Sequence, residues 1–147
     1  MSDSHPTLDQ RRAQHAWQAV EQARSLKDDK ARKDFAREAK RLPVRIKTAG
    51  LGQALAFLAA KSKSDRDDED YRSRLLKELG DWLLKERHLA RWPEEANDNN
   101  AVICVIIAGN ADLLRRATEE ALLYLQWLTR FSEAEFKPYE DGDNDHS

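Results

Sequence analysis

Apolar side chains in this sequence recur every three or four residues over long stretches almost free of glycine and proline. That spacing places them on one face of an α-helix. Ala13, Ala16, Trp17, Val20 and Ala23 form one such stripe, and Ala31, Phe35, Ala39 and Leu42 a second. Tyr71, Leu75, Leu79, Trp82 and Leu83 form a third. Leu114, Ala117, Ala121, Tyr124, Leu125 and Leu128 form a fourth. Each stripe has to be buried, so the helices must pack on one another. Five glycines and four prolines in 147 residues are too few for a turn-rich β-protein. The sequence therefore specifies an all-α fold, a single-domain bundle of about five or six helices.

Capping chemistry sets the boundaries. Thr7, with Gln10 three residues on, matches a capping box, so helix one is expected from Thr7 to Leu26. Asp29 opens helix two, which runs to Leu42. Pro43 has no amide hydrogen and disfavours α geometry at the residue before it. A kink or break is expected there, with a short helical piece ending at Gly50. Helix three, Gly52 to Lys61, buries Leu51, Leu55 and Leu58. Helix four runs from Asp70 to Leu89, and Gly80 inside it costs about 1 kcal/mol relative to alanine. The run AVICVIIAG (101–109) has β-branched residues that suit a strand, but nothing can pair with it. It is read as a short buried helix ended by Gly109. The last helix spans Ala111 to Phe136, capped by Asn110 or Asp112. Residues 61–69 and 91–100 are polar loops. The helical domain is thus 1–136, and the acidic tail, 137–147, is expected to be disordered.

Several chemistries find no support. The single cysteine, Cys104, cannot make an internal disulfide, and its apolar surroundings suit an inert core thiol. His5, His15, His88 and His146 have no metal-ligand spacing. The acids of DGDND (141–145) lack the distant glutamate of a calcium loop. Gly50 and Gly52 lack the third glycine and the preceding strand of a dinucleotide fingerprint. No paired carboxylates form an acid–base motif. The expectation is a non-enzyme without cofactor or metal. No signal-peptide pattern opens the chain, and the longest apolar run is too short to span a bilayer, so a cytoplasmic protein with no membrane partner is expected.

Charge is the feature that remains. The net charge is −2, but residues 1–63 carry 14 Lys+Arg against 7 Asp+Glu, and residues 64–147 carry 11 against 20. On a helical wheel Lys30, Lys33, Arg37, Lys40 and Arg41 fall within an arc of roughly 100°, next to the apolar stripe, with Asp34 and Glu38 between. Arg45 and Lys47 continue the positive charge past the proline, and Lys61 and Lys63 extend it after helix three. A ridge of long cations suits a phosphate backbone, because each contact releases condensed counterions and no base need be read. Asp34 and Glu38 could instead neutralise it through weak pairs three or four residues apart. Trp17, Trp82 and Trp127 sit in helices, where core packing is expected. Trp92 lies in a loop and could stack on a base.

Three segments carry a family resemblance: QHAWQAVEQ (14–22), RLPVRIKTAGLGQALAFLAAK (41–61) and RATEEALLYLQWLTRF (116–131). In this order they resemble the small subunit of the type III-B CRISPR RNA-targeting complex, the Cmr complex. The middle segment is the most specific, with its L-P, its K-T-A-G-L-G turn and its Q-A-L-A-F helix. The resemblance implies an α-helical, non-catalytic subunit. It implies stacking of copies as a short filament beside the repeated backbone subunits that hold the guide RNA. The filament would end at the large polymerase-like subunit, with a basic face towards the guide and target RNA channel. Head-to-tail stacking needs unlike surfaces at its two ends, and the charge asymmetry supplies a basis for that. The alternatives are a purely protein–protein scaffold, the equivalent small subunit of the type III-A complex, and an unrecognised enzyme such as a nuclease.

Overall fold

The helix starts are where side-chain chemistry places them. The Thr7 hydroxyl accepts from the Gln10 amide at 3.0 Å, and the Gln10 side chain accepts from the Thr7 amide at 2.7 Å. Asp28 rather than Asp29 caps the second helix, accepting from the Ala31 amide at 2.8 Å. Asp70 and Asn110 cap their helices in the same way. The structure, a computed structural model, describes residues 5–61, 70–94 and 100–137. Their helices are α1 (Leu8–Ala23), α2 (Asp29–Ala49), α3 (Leu51–Lys61), α4 (Tyr71–Gly80), α5 (Ala101–Ala108) and α6 (Ala111–Phe136). A π-helical segment, Asp81–Glu86, prolongs α4. Among the described residues there is no strand. The expected disordered tail from 138 onward and the candidate Lys63 lie outside them.

Helix α6 is the axis of the bundle and packs along both α1 and α2. Helix α3 lies against α2 and α4, and α5 against α3 and α4. Small residues Ala16, Ala19 and Ala23 bring α1 close to its neighbours, and Phe35 and Leu42 of α2 are fully buried. Trp82 and Tyr124 stack at the centre with ring centroids 5.5 Å apart.

Helix α2 does not break at Pro43, contrary to the sequence expectation. It continues to Ala49 and ends at Gly50, whose φ of 93° a side chain would resist. A proline removes the hydrogen bond to the carbonyl four residues earlier, here Ala39. That carbonyl instead accepts from the Thr129 hydroxyl of α6 at 3.1 Å. The lost intrahelical bond is replaced across the α2–α6 seam, which lets the helix run on.

Three further expectations are corrected. Helix four does not continue as α-helix to Leu89. It widens after Gly80 into the π segment, where the Arg87 amide donates to the carbonyl of Trp82 at 2.9 Å, and His88 has a left-handed φ of 53°. Helix α5 exists but is buried on one side only. Ala101, Val102 and Ile106 face α3 and α4, so Cys104 is exposed and Ile107 is 76% exposed. Trp17 and Leu114, placed on buried stripes by spacing, are each 41% exposed; they lie at stripe edges that the neighbouring helices cover only in part.

Two buried glutamates have opposite energetics. Glu120 accepts from Arg12 (2.6 and 3.0 Å), from the Trp82 indole (2.9 Å) and from Arg87 (3.1 Å). Burial pushes its carboxyl up, but these hydrogen bonds outweigh burial and hold it below the usual glutamate value. Glu78 is pushed up by burial, and His15 and Arg74 only partly pull it back. Glu120→Gln is therefore expected to cost about 3 kcal/mol in denaturant unfolding at neutral pH, while Glu78→Gln is close to neutral. A depressed folded pKa stabilises above the unfolded value, so the Glu120→Gln gap should close as pH falls below 4.5. Equal losses at the two sites, or a pH-independent gap, would contradict this. Thr129→Val is expected to cost about 1 kcal/mol, and much less with Pro43→Ala, whose restored amide can serve Ala39. Equal losses in both backgrounds would show that the threonine acts otherwise.

Candidate nucleic-acid interface

Because α2 runs unbroken, its cations keep one helical phase. Lys40 and Lys47 are seven residues apart, two turns on the same face and about 10 Å along the axis. Lys30, Lys40, Arg41 and Lys47 are exposed, and Lys33 and Arg37 half-buried beside them. These six share the outer arc of α2. Arg45 does not; its guanidinium lies 3.8 Å from the Phe57 ring centroid and 3.5 Å from Glu38. It belongs to the α2–α3 seam. The Lys61 ammonium, at the end of α3, lies 5.9 Å from the same ring.

Carboxylates sit among the cations. Asp34 pairs with Lys30 at 2.9 Å and with Arg37 at 3.3 Å. Asp29 pairs with Lys33 at 3.4 Å, and Glu133 of α6 reaches Lys40 at 3.5 Å. Ion pairs in contact with water contribute little net stability, so a phosphate can replace such partners without unfolding anything.

Between α2 and α6 lies a cleft of about 530 Å³, lined by Lys40, Pro43, Leu125, Gln126, Arg130 and Glu133 among others. Spacing along α6 shows Gln126, Arg130 and Glu133 to share a face, but only packing reveals that Lys40 stands opposite. The sequence reading missed Arg130 for that reason.

The aromatic candidates divide. Trp82 is core, and the Trp127 indole donates to Asp9 at 3.0 Å. Trp17 meets Phe131 edge-on at 5.3 Å. Trp92 is half-buried, and the Lys85 ammonium lies 4.4 Å from its ring centroid, so a base stacking on that face would first have to displace the lysine.

The fold also gathers His15, Glu78 and Asp81, with one potential ligand atom from each, all within 4.8 Å of one another. Glu78 and Asp81 stand three residues apart on one helical run, but nothing in the sequence shows that His15 of α1 joins them. Burial holds the Tyr124 hydroxyl protonated. It can donate to His15 Nδ1 at 2.7 Å while Nε2–H donates to Asp81 at 2.7 Å. Both ring nitrogens of His15 are engaged by protein groups, which makes the cluster a structural link between α1, α6 and the π segment. Among the described residues no helix is long and apolar enough to cross a membrane.

Comparison with known proteins agrees with this architecture. The sequence model of the family described as CRISPR-associated protein (Cas_Cmr5) matches residues 8–135, from the first turn of α1 nearly to the end of α6. The fold is similar to the crystal structure of a CRISPR-associated Cmr5 family protein from Thermus thermophilus. The TM-score is 0.67 at 25% sequence identity, covering 88% of this chain and 97% of that chain. The chain therefore belongs to the Cas_Cmr5 family of CRISPR-associated proteins, the family of the small subunit of type III-B Cmr effector complexes.

Proposed function

We propose that this protein is a non-catalytic small subunit that lies along the guide and target RNA channel of a type III-B effector complex and contacts RNA through the outer face of α2. Copies stack as a short filament beside the backbone subunits, ending at the large polymerase-like subunit. The supporting observation is the sorted arc of Lys30, Lys33, Arg37, Lys40, Arg41 and Lys47 on one unbroken helix whose opposite side is core. Such a surface suits a polyanion bound by its backbone, without base readout. Antiviral RNA targeting then belongs to the assembly, with the chemistry supplied by other subunits.

The carboxylates interleaved with this arc favour a second reading, in which the ridge docks a neighbouring subunit and never touches RNA. The double charge reversal Arg41→Glu with Lys47→Glu separates the two. Both side chains are exposed, so helix content and melting temperature should be unchanged. Target-RNA affinity of the assembled complex should fall, and the slope of log affinity against log salt should shrink by about 1.4, roughly 0.7 per lost single-strand phosphate contact. Normal assembly with unchanged RNA affinity at low salt would contradict RNA contact. Failure to assemble would support the scaffold.

A further inference from the structure

We infer that the cleft between α2 and α6 is a seat for one phosphodiester of the RNA strand, and that the Glu133 carboxylate is a built-in competitor which the phosphate displaces. This rests on the RNA-facing reading of α2 and extends it to a second helix.

The cleft has the chemistry of an anion seat. Lys40 supplies an ammonium from α2, and Arg130 and Gln126 supply a guanidinium and an amide from consecutive turns of α6. A guanidinium fork matches two phosphate oxygens, and an ammonium acts as a point charge beside it. Pro43 and Leu125 contribute the apolar part of the wall. The walls are fixed relative to each other, because the Thr129 hydroxyl is committed to the Ala39 carbonyl directly beneath them.

The charges are not at rest in this cleft. Lys40 is held by Glu133 at 3.5 Å, well beyond the roughly 2.8 Å of a well-made charge-assisted hydrogen bond. Their side chains are 54% and 37% exposed, so water competes for both. Arg130 is exposed and has no carboxylate partner among the described residues. Glu133 therefore neutralises Lys40 only loosely, and one anion entering the cleft would engage Lys40 and Arg130 together. A phosphodiester carries the same single negative charge as the carboxylate it replaces, and it brings two free oxygens against the guanidinium. Lys47 continues the cationic face two turns beyond Lys40 along α2, as a strand running past the cleft requires.

The test uses the assembled complex titrated with a labelled target RNA, shortened so that guide pairing does not saturate binding. Glu133→Gln is expected to tighten RNA binding about two- to fivefold, the range over which an exposed ion pair can act. The gain should vanish when Lys40→Gln is also present. Arg130→Gln is expected to weaken binding about tenfold. Glu119→Gln is the matched control. It makes the same change in net charge 14 residues away, about 21 Å along α6 and beyond the screening length, and should change nothing.

An equal gain at Glu119 and Glu133, or none at Glu133, would overturn the inference. If Arg41→Glu with Lys47→Glu still weakens binding in that case, the RNA-facing reading stands and only the seat is lost. If neither set changes RNA affinity, both fall. Tighter association with a neighbouring subunit on Glu133→Gln, with RNA affinity constant, would mean that the cleft receives a protein carboxylate, and would also overturn the inference.

Discussion

The fold depends on a charge placed inside it. The Glu120 carboxylate is almost fully buried and would be strongly destabilising alone. Three donors from elsewhere in the chain, Arg12, Trp82 and Arg87, converge on it. The cluster joins α1, the π segment and α6, whose residues are far apart in sequence. Bundles of amphipathic helices can slide and rotate at modest cost when only apolar surface is shared. A charge that must be satisfied at a single position removes that freedom. The stacked Trp82–Tyr124 pair and the His15 link beside it fix the same three elements again.

With α6 held on one side by that network, its other side presents Thr129 and Glu133 to α2. The hydroxyl and the proline form a matched pair. Pro43 takes away a donor, and Thr129 returns one from outside the helix. Two consequences reach the surface. Helix α2 keeps its phase for 21 residues, so the cations before and after the proline share one face. The α2–α6 seam is also clamped where the cleft opens, which places Lys40 and Arg130 around one space.

Most of the helices were legible from local chemistry. Thr7 with Gln10, Asp70 and Asn110 mark starts by groups that satisfy their own backbone amides, and such information lies within four residues. What was not legible came from distant partners. Pro43 reads as a break unless one knows that Thr129, 86 positions away, will sit beside it. Periodicity gives a stripe but not the width that neighbours cover, so Trp17 and Leu114 were placed too deep. Cys104 was assigned to the core because α5 is apolar all round, whereas α3 and α4 cover only one of its sides. Glu120 looked like any helix-surface acid. The ridge cations could be sorted by the wheel, but Arg45 turned to Phe57, and Arg130 entered the site only once α6 was placed against α2.

The same logic bears on function. In the proposed role the subunit contributes shape, spacing and charge, and its sorted cations lie on the outer face of the proline-bearing helix, which runs unbroken for 21 residues. The most direct measurement is the structure of the assembled effector complex with guide and target RNA bound. An RNA phosphate within ion-pairing distance of Lys40, Arg41 or Lys47 is the expected result. Burial of the outer face of α2 against protein, with the RNA following another surface, would contradict the RNA-facing role.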